Sequence, residues 1–165
     1  MHNNRTTILA LDPGLRDLGF AVLRGQKLVA SGVRRLRLLP TQQRIREARA
    51  QVKTWMATYH PDALVLESTH RHPVDWLDAV DRFAGSVRRL GRRRHMTVAT
   101  YAPQTVRKGL IGNGWATKTE TATAIAHRFP ALRIYLTQDR KWKERYFLNM
   151  FDAIALALYH QTRMR

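Results

Sequence analysis

Ile8-Leu9-Ala10-Leu11-Asp12-Pro13-Gly14 is an apolar run closed by an acid and a turn. An uninterrupted apolar stretch of this length, bounded by turn formers, reads as a strand buried on both faces. The same grammar returns at Ala63-Leu64-Val65-Leu66-Glu67, again ending in a carboxylate. A third acid, Asp152, opens Asp152-Ala153-Ile154-Ala155-Leu156-Ala157-Leu158. Charged groups beside buried segments are costly unless they are paired or bound to a cation. Each acid alone reads as well as a cap or arginine partner as it does as a metal ligand. All three occur in a chain with 12 acids against 29 lysines and arginines, a net charge of +17. Together they point to a metal site that meets a polyanion.

Working outward, residues 6–11 predict a first strand, Gly19–Leu23 a second and Lys27–Val33 a third, the last two joined at Gly25-Gln26. Pro40-Thr41 starts a helix whose apolar stripe is Ile45, Ala48, Val52, Trp55 or Met56, and Tyr59. Pro61-Asp62 ends it, and Ala63–Leu66 is a fourth strand. Val80, Phe83 or Ala84, Val87 and Leu90 mark a second helix, and Met96–Tyr101 a fifth strand. Pro103 suits the first position of a short helix reaching about Leu110. Thr117-Lys118-Thr119-Glu120 has capping-box spacing, so a helix starts at Lys118 and runs to about Phe129. Arg140 to Arg145 reads as a basic loop before a last helix over Arg145–Gln161, with Phe147, Phe151, Ile154 and Leu158 facing the core. This order gives an α/β class: a mixed five-stranded sheet flanked by helices, as one domain over residues 1–165.

Composition narrows the chemistry. Cysteine is absent, which removes disulfides, thiolate nucleophiles and cysteine-based zinc sites. No apolar run approaches the roughly 20 residues of a membrane span, and the first residues lack a signal-peptide core. A cytoplasmic location and no membrane partner are the expectation. Basic residues are spread along the whole chain, with no basic amphipathic anchor, so nucleic acid is favoured over a lipid surface.

If the first and fourth strands are parallel neighbours, Asp12 and Glu67 emerge at one sheet edge. Asp152 then enters from the last helix, with Asn149 three residues earlier on the same helical face. The small Ala153, Ala155 and Ala157 let that helix approach closely. Oxygen donors without His or Cys suit Mg²⁺, with Mn²⁺ able to substitute. Two such ions can activate a water and stabilise the leaving oxygen in phosphodiester hydrolysis. On this reading Asp12, Glu67 and Asp152 are catalytic metal ligands and Asn149 a fourth ligand. Gly112-Asn113-Gly114 ahead of a helix N-terminus lets backbone approach phosphate. Lys118 adds a mobile positive charge there, near the scissile phosphate, and so joins the catalytic set. Glu120 is most simply the capping partner, and Trp115 in the phosphate loop either stacks on DNA or packs.

These residues carry a family resemblance. Ile8 to Gly14 followed by Gly19-Phe20 resembles the first motif of the RuvC Holliday junction resolvases, and Leu64-Val65-Leu66-Glu67 their second acidic strand. Asp152-Ala153-Ile154-Ala155 is similar to their final helix. The most discriminating match is Pro103-Gln104-Thr105-Val106-Arg107 through Gly112-Asn113-Gly114 and Ala116 to Lys118, which has the family's proline, Val-Lys, Gly-x-Gly loop, alanine and lysine at their offsets. The resemblance implies an RNase H-like fold, a homodimer, and Mg²⁺-dependent paired nicks across four-way or branched DNA in a bacterial or phage-infected cell. It names no branch-migration motor. It places Arg107 at the family's lysine position, gripping DNA backbone. Two positions depart from the pattern: Asn149 stands where the family has an aspartate or histidine ligand, and His70 where it often has a stacking phenylalanine. His70, Arg71 and His72 are then candidates to enter the junction centre, where flat side chains stack on strained bases. Two competing readings stay open: an RNase H-like nuclease for other branched DNA or RNA–DNA hybrids, and a catalytically degraded junction-binding protein with Asn149 as the lesion.

Overall fold

The computed structural model describes residues 6–68, 75–138 and 140–164. In chain order its elements are β1 (Thr7–Asp12), β2 (Asp17–Arg24), β3 (Lys27–Arg35), α1 (Thr41–Tyr59), β4 (Ala63–Glu67), α2 (Asp75–Arg93), β5 (Thr97–Tyr101), α3 (Pro103–Ile111), α4 (Lys118–Arg128), a 3₁₀ segment (Pro130–Tyr135) and α5 (Lys141–Arg163). The strands form one mixed sheet in the order β3-β2-β1-β4-β5. β1 pairs antiparallel with β2 and parallel with β4, and β4 pairs parallel with β5. Both central parallel strands are buried along their length except at the final acid, as continuous apolar runs require when both sheet faces are covered.

Alternation along β1 divides the core in two. Leu9 and Leu11, with Leu64 and Leu66, pack against Ala48, Val52, Trp55 and Met56 of α1 and Val80, Phe83, Val87 and Leu90 of α2. Ile8 and Ala10, with Ala63 and Val65, face the opposite layer, which holds α4 and α5. Asp12 and Glu67 continue this second set by the period-two rule, so both point to the α5 side.

α5 lies across the sheet, with α3 and α4 packed beside it. It is buried nearly all round from Met150 to Leu158, wider than the stripe expected from Phe147, Phe151, Ile154 and Leu158. The reason is position: a helix sandwiched between sheet and helices has no solvent face there. Small residues set how close it comes. Gly19 of β2 lies so near α5 that a Cβ built on it would overlap the backbone carbonyl of Asn149.

One expectation is corrected at the C-terminal third. The basic stretch 140–145 is the first turn of α5, which begins at Lys141; nothing in Lys141-Trp142-Lys143-Glu144 breaks a helix. The chain after α4 winds into the 3₁₀ segment at Pro130, where proline's fixed φ favours a tight turn start. The first part of α5 also packs on the sheet edge. The Tyr146 hydroxyl donates to the Val33 carbonyl of β3 at 2.9 Å, and Arg35 lies 4.8 Å over the Tyr146 ring while pairing with Asp17 at 2.8 Å.

Gly19→Ala is expected to destabilise the protein by about 2 kcal/mol, since backbone must move on one side. For a chain of this size that is a fall in Tm of about 6 °C, read by thermal melting. An unchanged Tm would mean that α5 does not sit on β2 this closely.

Candidate active site

The parallel β1–β4 register aligns Leu11 with Leu66, so Asp12 and Glu67 leave the sheet side by side at its C-terminal edge. Asp152 reaches the same place from α5 and is buried, 5% exposed. Lys118, in the first turn of α4, places its ammonium 2.5 Å from Asp152 Oδ2. That oxygen has no well-aligned hydrogen bond, although it is fully shielded from solvent. The Thr117–Glu120 capping box is complete: the Thr117 side chain accepts from the Glu120 N–H at 3.1 Å, and Glu120 Oε2 accepts from the Thr117 N–H at 2.6 Å. Glu120 is thus occupied with the helix start, and Lys118 is held at the carboxylates by its position in that turn.

The acids feel one another. Burial, then the Asp152 charge, raises the Asp12 carboxyl to about 7, with Lys118 opposing. Burial, then the charges of Asp12 and Asp152, raises Glu67 to about 8, with Lys118 and Arg107 opposing. Burial works against the Lys118 charge, but Asp152, Asp12 and Glu67 outweigh it and the ammonium is held above its ordinary range. Two cationic side chains against three carboxylates leave the ionised cluster net negative.

Asn149 lies one turn before Asp152, but its side-chain nitrogen donates to the Asp17 carbonyl at 3.3 Å, tying α5 to the start of β2. Nothing in the sequence marked that bond. Arg107 is placed differently from a grip at the outer surface: it is half-buried and lines a small cavity with Glu67, Thr121 and Asp152. The residue before it, Val106, is in the core, which turns that part of α3 toward the acids. Gly112, Asn113, Gly114 and Trp115 form the α3–α4 loop and line a separate cleft of about 400 Å³ with Gln104, Thr105 and Lys108. His70, Arg71 and His72 lie outside the described residues. His160 is buried, with its Nδ1 2.9 Å from the Tyr101 hydroxyl, and is structural.

One expectation is not met as stated. Among the described residues no three carboxylate or imidazole groups stand close enough to hold an ion as they are. Asp152 is paired with Lys118. The donor chemistry still fits a divalent cation: hard carboxylate oxygens, no soft ligand, and excess negative charge in a shielded pocket.

Comparison with known proteins follows this geometry. The family model described as crossover junction endodeoxyribonuclease RuvC matches residues 8–160. The chain belongs to the RuvC family. A RuvC from Renibacterium salmoninarum is 29% identical over 163 residues, spanning 94% of this chain and 79% of the relative. The fold is similar to that of Thermus thermophilus RuvC in complex with Holliday junction substrate, with a TM-score of 0.77, 23% identity, and coverage of 98% of this chain and 96% of that one. The fowlpox virus resolvase, solved with substrate Holliday junction DNA, matches at TM-score 0.59 and 14% identity over 96% of this chain and 99% of that one. The RNase H-like sheet with its flanking helices is therefore the RuvC fold, and the expected fold class holds.

In this RuvC-family chain the raised carboxyls make a pH prediction for metal-free protein. Folded Asp12 and Glu67 keep their protons to about pH 7 and about pH 8, whereas unfolded carboxyls release theirs near pH 4. Between those limits the native state binds more protons than the unfolded state, so this pair's contribution to stability falls as pH rises. It levels off above about pH 8. The double variant Asp12→Asn/Glu67→Gln is expected to melt higher than wild type at pH 8 in EDTA and at nearly the same temperature at pH 4. A constant difference across that range would contradict the shared buried field.

Proposed function

We propose that the chain is a divalent-metal-dependent endodeoxyribonuclease that resolves four-way DNA junctions by paired symmetric nicks. The observation that carries this reading is the meeting of Asp12, Glu67 and Asp152 beside Lys118 at one sheet edge of a RuvC-family chain. Asp12, Glu67 and Asp152 would hold the metal, with Asn149 as a neutral oxygen donor. Two Mg²⁺ ions, or Mn²⁺ in their place, would supply an activated water and charge stabilisation at the leaving oxygen.

The chain's own groups perform the rest. Lys118, on a flexible stem beside Asp152, would stabilise negative charge building on the scissile phosphate. Arg107, beside Glu67, offers a second fixed charge to the same strand. The net charge of +17 draws junction arms onto the surface with an affinity that falls steeply with salt. Two symmetric nicks need two copies of this cluster facing one junction, which supports a two-fold homodimer.

Asp12→Asn is expected to abolish nicking of a labelled synthetic four-way junction while junction binding persists, because the acid contributes to metal capture and not to DNA attraction. Wild type should nick symmetrically with Mg²⁺ or Mn²⁺ and not in EDTA. Tight binding by wild type with no cleavage under either metal would replace this reading with the junction-binding protein. Lys118→Ala should slow single-turnover cleavage by about a hundredfold, the scale of losing one preorganised charge at a transition state, with little change in junction affinity. A loss confined to affinity would make Lys118 a simple backbone contact.

A further inference from the structure

Among the described residues Trp115 is the largest hydrophobic side chain left in water, 83% exposed. It stands on a loop that is built rather than slack. Gly112 ends α3 at φ +81°, and its N–H donates to the Lys108 carbonyl at 3.0 Å. The Trp115 N–H donates to Asn113 Oδ1 at 2.9 Å, and the Ala116 N–H to the Asn113 carbonyl at 3.3 Å. Gly114 lies against the Gln104 carbonyl, where an added Cβ would sit 3.1 Å away. Ala116 is buried and the capping box fixes the next residues. Such a loop presents an indole without the entropy of ordering it first.

The cleft beside the indole combines a flat aromatic wall with amide and hydroxyl groups from Gln104, Asn113 and Thr105, and one cation, Lys108. An uncharged π-face gains little from phosphate but stacks on any base, and neighbouring amides and hydroxyls can meet a base edge. A second copy of this chain is a poor occupant, because Lys108 lines the cleft and each copy carries a net charge of +17. Lys118, which contacts Asp152, is three residues from Trp115, at most about 10 Å along the chain. Whatever stacks on the indole is therefore held on the same loop-to-helix junction that carries the lysine at the acids.

We propose that Trp115 and its cleft receive one unstacked DNA base next to the scissile phosphate, making Trp115 a specificity-determining contact of the cleavage reaction. The inference rests on the junction-resolving function proposed above. In linear duplex every base is stacked and paired, so filling the cleft costs unstacking there and much less at a branch point. The contact thus favours branched over linear DNA.

The test is a cycle between protein and DNA in the Asp12→Asn background, which is expected to bind without cutting. Affinity is measured for Trp115, Trp115→Phe and Trp115→Ala on four-way junctions that are intact or carry a single abasic nucleotide at each position around the branch point. Trp115→Ala should weaken binding to the intact junction about tenfold, the scale of one base–aromatic stack, with Trp115→Phe retaining most of the affinity. That loss should vanish on the junction lacking one particular base, and the salt dependence should not change. Melting temperatures equal to the parent's are expected for both variants, since the side chain is exposed. Equal losses on every abasic junction, or no loss at all, would overturn the inference; with wild type still nicking junctions, the proposed function would stand without it. Failure of wild type to bind or cut junctions would remove both.

Discussion

The close seating of α5 on the sheet is the constraint on which the site depends. Asp12 and Glu67 are placed by strand register alone, but Asp152 is carried by a helix and must be brought down to them. Gly19 removes the Cβ that would collide with the Asn149 backbone, and the alanines between Asp152 and Leu158 keep the helix thin where it crosses β1 and β4. Asn149 then ties the helix to the Asp17 carbonyl. A helix one methyl group farther away would leave Asp152 in a different solvent environment and weaken its coupling to the other two acids.

The electrostatics follow from that proximity. Three carboxylates share a poorly hydrated corner, and protein groups meet their cost only in part, through Lys118 and Arg107. The fold therefore stores a demand for positive charge. Lys118 is suited to meet it temporarily, because a half-exposed ammonium on a flexible stem can change partners more readily than a planar guanidinium locked in a fork.

Most of the fold and the identity of the acids were legible in the sequence because both rest on short-range patterns. Continuous apolar runs identify buried parallel strands, and the period of two carries Asp12 and Glu67 to one face. The capping box at Thr117 to Glu120 marked the start of α4 and so placed Lys118. What was hidden depends on long-range packing: the inward turn of Arg107, the Asn149–Asp17 bond and the full burial of α5 each need partners distant in the chain. The Lys118–Asp152 ion pair was also beyond the sequence, since it forms only in the folded site. The early start of α5 was missed because a basic, polar turn reads as loop until a surface is present for it to pack on.

The Tyr146 contact bears on how the molecule behaves in a crowd of its own copies. β3 is nine residues long and forms one border of the sheet, and such a border offers unpaired backbone to any passing strand. The N-terminal part of α5 brings Tyr146 onto the Val33 carbonyl, and Arg35 lies over the ring with its charge close to the same border. The opposite border, β5, is only five residues long. With one rim plugged by a phenol and guarded by arginine, and the other too short to template a partner, the sheet resists growing into a fibre.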